Sequence, residues 1–285
     1  MVNKEFLLSS KQMAEFTSDG YLKFEGIVPK ELCDAALKEM ETRNLNDFDR
    51  QGLPFNYIWN NEKLAIGKVF RLPIVEGIIQ SLVGPNPRYD HHFPHLNKAN
   101  SRVTENLHQD AEYDPRFENF DIQISFFPTD VNEDGGGTLF VPGSHFRRVH
   151  ESSIRRYQNI VGQVQSVCSA GTIVVWHHNI WHSSRSNHSN KDRYMFKLRL
   201  NPTVRQQLLW NTDDLNAPEV ISILKKRQKW HGQTARIEEM NRIRFWRHLT
   251  NQPNFDLPGW YWSRIDNKPD TFYDFNAKGS GTLTY

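Results

Sequence analysis

Apolar residues in the first part of the chain recur with the spacing of helices. Ser9 and Ser10 can cap a short helix that carries Met13 and Phe16 on its apolar face, and Gly20 is suited to end it. Residues 19–26 read DGYLKFEG, and the part that follows Gly20 is strand-like. The pattern therefore predicts a helix followed by a strand at the start of the chain.

Two more helical stretches follow. Pro29 suits the first turn of a helix, and the apolar residues behind it are expected on one face: Leu32, Ala35, Ala36 and Met40. Residues 42–62 are polar and aromatic without a clear period. Residues 64–83 return to the helical period and end at Gly84-Pro85.

From about Tyr89 the pattern changes to short strand-like runs separated by turn residues. Such runs are typical of a sandwich or barrel, and helices followed by strands indicate an α+β protein. Residues 217–250 are helical again, and the tail from Asn251 is loop-like and aromatic. The expected strands are Arg88 to Phe93, Asp121 to Phe127, Thr138 to Val141, Val161 to Ser166, Thr172 to Trp176 and Arg193 to Asn201.

Composition narrows the class of protein. No shift in composition marks a linker, so we expect one domain over residues 1–285. It is expected to be helical over 1–87, to form the strand-rich core over 88–201 and to add helices and loops over 202–285. The net charge of +2 favours neither nucleic acid nor an anionic membrane as partner. Two cysteines make no disulfide framework, and no secretory or membrane-spanning segment is evident, so a cytoplasmic protein is expected.

Candidate metal ligands appear at His108 and Asp110, with a further histidine, His182, downstream. Residues i and i+2 of a strand point to the same face, so His108 and Asp110 can hold one ion together. Two histidines and one carboxylate are the facial triad that binds non-haem Fe(II) and leaves its other positions open. A thiolate-rich zinc site is excluded because the chain has only two cysteines.

Two longer motifs carry a family resemblance. The first is G-G-T-x-x-V-P-G-S-H over residues 136–145, and the second is H-x-S-x-x-N-x-S-x-x-x-R over residues 182–193. With the helix and strand at the start, they make roughly the first two hundred residues resemble the phytanoyl-CoA dioxygenase-like family of Fe(II)/2-oxoglutarate oxygenases. The resemblance implies a double-stranded β-helix of the jelly-roll or cupin type, flanked by helices, with Fe(II), 2-oxoglutarate and O2 as cofactors.

The third metal ligand has three candidates within one segment, namely His177, His178 and His182. His182 stands eleven residues before Arg193 and fits the family's motif, so we predict it as the ligand. If the strand alternates, His178 shares its face, and His178 remains the alternative.

Arg193 is the candidate for the distal carboxylate of 2-oxoglutarate, because a guanidinium holds a carboxylate through two parallel charge-assisted hydrogen bonds. Ser184 can add a hydroxyl donor to the same carboxylate. Thr138 is a further candidate for contact with the cofactor, as is Asn106, two residues before the first metal histidine.

Other residues of reactive type are interpreted as structural. The Pro-Gly turn before His145 is a tight turn that His145 is expected to cap. His91, His92 and His95 are interpreted as strand and pocket-wall residues. The basic residues of 225–247, with Trp230 and Trp246 among them, are interpreted as a solvated helix face over buried tryptophans.

The function implied is a dioxygenase that hydroxylates, or otherwise oxidises, an unactivated C–H bond of a small organic molecule. In the same reaction, 2-oxoglutarate is decarboxylated to succinate and carbon dioxide. The alternatives kept open are a nucleic-acid demethylase of the same cofactor class and a non-catalytic cupin-type binding module. Related halogenases lack the metal carboxylate, so Asp110 argues against chlorination. Residues 42–70 and 251–285 are candidates for a substrate lid, and homo-oligomerisation is left open.

Overall fold

The computed structural model describes residues 2–42, 63–110, 119–147, 149–157 and 159–257. Its strands are β1 Tyr21–Phe24, β2 Arg88–Asn97, β3 Ile122–Phe127, β4 Thr138–Phe140, β5 Val164–Gln165, β6 Thr172–His177, β7 His182–Ser184 and β8 Arg193–Asn201. Its α-helices are α1 Ser10–Asp19, α2 Lys30–Thr42, α3 Ala65–Phe70, α4 Pro73–Val83, α5 Glu151–Ile154, α6 Pro218–Leu224 and α7 Gly232–Thr250, and 3-10 turns lie at Lys4–Phe6 and Ser144–Phe146.

The strands form two antiparallel sheets. The larger sheet has the order β1-β6-β3-β8-β2 and the smaller one the order β5-β4-β7. Apolar side chains of both sheets meet in one cluster, which contains Phe140 of the smaller sheet and Trp176 and Met195 of the larger. This confirms the predicted α+β class with a double-stranded β-helix core.

Alternation along the central strands separates a helix-covered face from an inward face. In β3 and β8, one set of side chains joins α1 and α4 in the main core cluster: Ile122, Ile124, Phe126, Phe196, Leu198 and Leu200. The other set points between the sheets and is largely polar: Gln123, Ser125, Arg193, Met195 and Lys197. The polar inward set marks the interior of the β-helix as the place for a site.

Helix α1 begins and ends as the sequence predicts. Ser9 and Gln12 form a reciprocal capping box at its start. Gly20 ends it with a φ of 83°. A β-carbon on Gly20 would lie 2.5 Å from Nδ1 of His145, so glycine also makes room for that imidazole. His145 therefore packs against the end of α1, within reach of the carbonyl of Thr17, rather than capping its own turn.

Several element boundaries differ from the prediction. The stretch 64–83 is two helices because Pro73 opens the second, and the preceding Leu72 is held extended. The stretch 217–250 likewise divides into α6 and α7. Ala35 was expected on the apolar face of α2 but is exposed, whereas Cys33 of the same helix is buried. Residues 43–62 and 258–285 of the expected lid lie outside the described residues.

The C-terminal basic segment is not a uniformly solvated face, so that interpretation is wrong in part. Arg242 is fully buried and forms a bidentate ion pair with Glu238, while its remaining donors bond the carbonyls of Leu224 and Lys226. Trp246 is buried in the main core, as expected. These contacts fix α7 to the turn after α6.

Candidate metal centre

The structure brings His108, Asp110 and His182 together at the edge of the smaller sheet. Oδ1 of Asp110 lies 3.5 Å from Nε2 of His108, and Oδ2 lies 3.2 Å from Nε2 of His182. Ligand atoms that each bind a metal at roughly 2.1 Å lie about 3 Å apart. The three side chains are therefore spaced to hold one ion, and they form the one such group of histidine, cysteine and acidic residues found in the described part of the chain.

The backbone explains why the two histidines meet. His108 and His182 form an antiparallel bridge in which each N–H donates to the other's carbonyl at 3.0 Å. Residues paired in this way have their side chains on the same face. The ring centroids are accordingly 4.4 Å apart. Gln109 turns to the opposite side and donates to the carbonyls of Arg147 and Asn179.

Both imidazoles are oriented by the same local contact. Nδ1 of His108 lies 2.7 Å from the carbonyl oxygen of Asn106, and Nδ1 of His182 lies 3.0 Å from that of Ile180. A carbonyl only accepts hydrogen bonds, so each Nδ1 carries the proton and each Nε2 keeps a free lone pair for a metal. The backbone of Asn106 thus orients a candidate metal ligand, and the residue itself is exposed.

Asp110 is held ionised by its surroundings. Burial alone would raise the pKa of its carboxyl, but His182, His108 and Lys197 outweigh burial and hold the pKa well below its usual range. Nζ of Lys197 lies 3.7 Å from Oδ2 of Asp110. A carboxylate that stays charged is the form that binds a cation.

The competing histidines lie elsewhere. His178 is buried, lies 3.3 Å from the side-chain amide nitrogen of Gln123, and has a pKa lowered to about 3, mainly by burial. His177 and His145 pack together beside Phe245 on the helix-covered side. Of the three candidates His177, His178 and His182, only His182 contributes to the metal-binding group.

Arg193 begins strand β8 and points into the interior. The residue is 4 % exposed, and Nη2 donates to the carbonyl of Gly136 at 2.8 Å. Nε and Nη1 are buried and have no hydrogen-bond partner among the described residues. Burial lowers the pKa of this guanidinium to about 10, so it stays charged at neutral pH. A buried cation with two unused donors indicates a place for an anion.

The two hydroxyl candidates lie opposite each other. Thr138 of β4 pairs with Ser184 of β7, so both side chains share the inward face. Oγ1 of Thr138 contacts Sδ of Met195, which stands two residues after Arg193 on the same strand. Both hydroxyls thus face the part of the interior that Arg193 enters.

The remaining motif residues build the loop that carries Arg193. Asn187 is fully buried and donates to the carbonyls of Asn97 and Lys191, while Ser189 donates to Oδ1 of Asn187. Gly136, with a φ of 69°, packs so closely that a β-carbon would lie 2.4 Å from the side-chain nitrogen of Asn97. Asparagine and glycine in the motifs therefore set the position of the guanidinium.

Sequence reasoning missed several polar residues of the interior. Lys197, Ser125 and Gln123 follow no motif, but each occupies an inward position of a central strand. His95 was expected only in the pocket wall. It lies on β2 opposite Met195 of β8. Burial, together with the charges of Lys197 and Arg193, holds the pKa of His95 well below its usual range. The alternation of β3 and β8 was the available signal.

The family comparison covers most of the structured core. A model of the phytanoyl-CoA dioxygenase (PhyH) family matches residues 16–195. A comparison with curated protein sequences gives no match.

Within the described residues, no helix is both long and apolar enough to cross a membrane.

Solved structures share the fold at low sequence identity. EctD from S. alaskensis is 16% identical with a TM-score of 0.56, over 70% of this chain and 79% of that one; it has also been crystallised with 2-oxoglutarate and 5-hydroxyectoine. HygX from Streptomyces hygroscopicus, with nickel and 2-oxoglutarate bound, is 14% identical with a TM-score of 0.55, over 74% of this chain and 94% of that one.

Proposed function

The chain belongs to the phytanoyl-CoA dioxygenase family, and we propose that it is an Fe(II)- and 2-oxoglutarate-dependent dioxygenase. Its reaction would hydroxylate, or otherwise oxidise, an unactivated C–H bond of a small organic molecule. 2-Oxoglutarate would be decarboxylated to succinate and carbon dioxide in the same turnover. We further propose that residues 1–285 act as one catalytic domain in a cytoplasmic protein.

One observation carries the proposal. A buried guanidinium with two unused donors, that of Arg193, enters the same interior as a group of two histidines and one carboxylate. A metal-binding module without 2-oxoglutarate would have no use for this cation, and leaving it buried and unpaired would be costly. The 2-oxoglutarate bound to EctD and to HygX supports the same assignment.

The residues fit the group by the chemistry of their donors. His108, Asp110 and His182 would hold Fe(II), which favours imidazole with carboxylate, and one face would stay open for cofactor and substrate. Arg193, with Ser184 and Thr138 beside it, would bind the distal carboxylate of 2-oxoglutarate. Together, iron and 2-oxoglutarate supply the activation of dioxygen and the oxidation of the C–H bond.

The protein's own contribution is orientation and exclusion of water. The carbonyls of Asn106 and Ile180 fix the two imidazoles. Phe140 and Trp176 lie 6.4 Å and 5.8 Å from the His182 ring and wall off that side from solvent. Because Asp110 fills the carboxylate position, oxidation of the substrate is expected rather than transfer of a halide.

The proposal is tested by anaerobic titration of the Fe(II) protein with 2-oxoglutarate. A weak visible charge-transfer band should appear on binding, and oxygen should then convert 2-oxoglutarate to succinate. Arg193→Met should lose the band at concentrations that saturate the wild type. Arg185→Met is the matched control, since Arg185 is bonded to Asn159 instead. Absence of the band in the iron-loaded wild type would refute the proposal.

A further inference from the structure

Lys197 is a second cation inside the β-helix. It lies on β8, four residues after Arg193 and on the same inward face. Its side chain is 14% exposed, and Nζ lies 3.7 Å from Oδ2 of Asp110, beyond hydrogen-bond distance. No hydrogen bond joins Lys197 to another residue in the described ranges. The ammonium therefore has donors to spare beside the metal ligands.

Unused polar atoms surround this lysine. Ser125, directly opposite on β3, is fully buried, and its hydroxyl has no partner within the described parts of the chain. The same is true of Oε1 of Gln123 and of Nε2 of His95, both of which face the same interior. Phe93 pairs with Lys197 from β2 and stacks edge-on against His95 at 4.4 Å. Buried polar atoms are nearly always satisfied, so this group of atoms is suited to bind a ligand or ordered water.

Among the described residues, the carboxylate that pairs with Lys197 is that of Asp110, which is also a candidate metal ligand. The nearby Arg199 is engaged by Asp121 at 2.7 Å and by Asp90 at 3.2 Å. The two carboxylates of 2-oxoglutarate and the carboxylate of Asp110 would together offset the charges of Fe(II) and Arg193. Glu105, a second carboxylate near His108 in the described part of the chain, is half-exposed, where water screens it. Counted over the described residues, the charge of Lys197 is then left without an offsetting anion.

We propose that Lys197, with the Ser125 hydroxyl, binds the anionic group of the substrate, and that the substrate is a small organic carboxylate. The inference rests on the proposed function and names its substrate class. Four residues of strand separate the α-carbons of Arg193 and Lys197 by about 13 Å, so the carboxylate at Lys197 is distinct from the one that Arg193 holds. Phe93 supplies an apolar wall for the body of the substrate.

The test uses benzoate and benzamide, which share a shape and differ in charge. The protein is loaded with Mn(II) and saturating 2-oxoglutarate, and the paramagnetic relaxation of each probe's protons reports its binding near the metal. Wild-type protein should bind benzoate about tenfold more tightly than benzamide, as expected for a charge-assisted contact. Lys197→Met should abolish the preference, whereas Lys197→Arg should retain it.

Controls separate the possible roles of Lys197. Lys68→Met alters an exposed lysine of α3 and should keep the preference for benzoate. Equal binding of the two probes by the wild type would overturn the proposal, as would a preference that survives in Lys197→Met. A loss of 2-oxoglutarate affinity in Lys197→Met would instead assign the lysine to the cofactor, and a loss of Mn(II) affinity alone would assign it to orienting Asp110. Failure of the wild type to bind 2-oxoglutarate, seen in the separate titration, would refute the proposed function.

Discussion

Replacing Arg193 by methionine should stabilise the cofactor-free protein while it removes 2-oxoglutarate binding. The guanidinium is buried, and two of its nitrogens have no partner within the described residues. Methionine has a similar length and carries no charge into the interior. The two effects should therefore have opposite signs, which a purely structural arginine would not give.

The magnitude follows from the pKa of Arg193. Burial lowers this pKa from 12.5 to about 10, which corresponds to a cost on the order of 3 kcal/mol for the charged form at neutral pH. Losing the hydrogen bond from Nη2 to Gly136 costs about 1 kcal/mol, and the Gly136 carbonyl keeps a contact with Asn97 at 3.4 Å. The variant should gain about 2 kcal/mol in free energy of unfolding. Because the folded pKa is the lower one, the gain should shrink as pH rises through about 10.

Two measurements decide the matter. Urea unfolding of metal-free protein gives the stability of wild type, Arg193→Met and the control Arg185→Met. Anaerobic titration gives the affinity for 2-oxoglutarate, which should fall at least a hundredfold in Arg193→Met and ten- to a hundredfold in Arg193→Lys, since each lost charge-assisted bond is worth roughly 1.5–3 kcal/mol. A variant that is several kcal/mol less stable yet binds 2-oxoglutarate normally would refute the reasoning.

Three further outcomes are expected. Alanine at His108, Asp110 or His182 should abolish Fe(II) binding, measured by equilibrium dialysis, whereas alanine at His145 should leave it near normal. With chloride present, mass spectrometry of wild-type reactions should find oxidised and no chlorinated product, because Asp110 occupies the position that a halide would need. Gly136→Ala should weaken 2-oxoglutarate binding more than Fe(II) binding in the same titrations, because its β-carbon would displace the loop that anchors the guanidinium; equal losses would contradict this.

Short-range patterns predicted most of the fold. The apolar pattern located β3, β6 and β8 to within a residue or so. These strands are recognisable because at least one face of each is buried and therefore carries apolar side chains at regular positions. Alternation did not identify the short strand β7, and it would have put His178 on the same face as His182, whereas residues 178–180 form a turn between β6 and β7. The split at Pro73 was not predicted, although proline cannot donate within a helix and constrains the residue before it.

Long-range pairings could not be predicted in this way. Nothing local to His108 specifies its bridge to His182, which depends on how the smaller sheet closes. Lys197 has no motif around it, and its proximity to Asp110 arises only when β8 is placed beside β3. The buried pair of Arg242 and Glu238 looked like a solvated face because burial depends on the turn after α6 that covers it.

The reciprocal backbone bridge between His108 and His182 has a consequence for metal selectivity. The two histidine ligands are already oriented by hydrogen bonds within the protein. Binding of any divalent ion therefore requires little rearrangement of these side chains, and their arrangement does not favour one ion over another. Preference among first-row metals should then follow the general Irving–Williams order, in which Co(II), Ni(II) and Cu(II) bind nitrogen ligands more tightly than Fe(II). Which ion occupies the protein would be decided by the supply of metals where it folds.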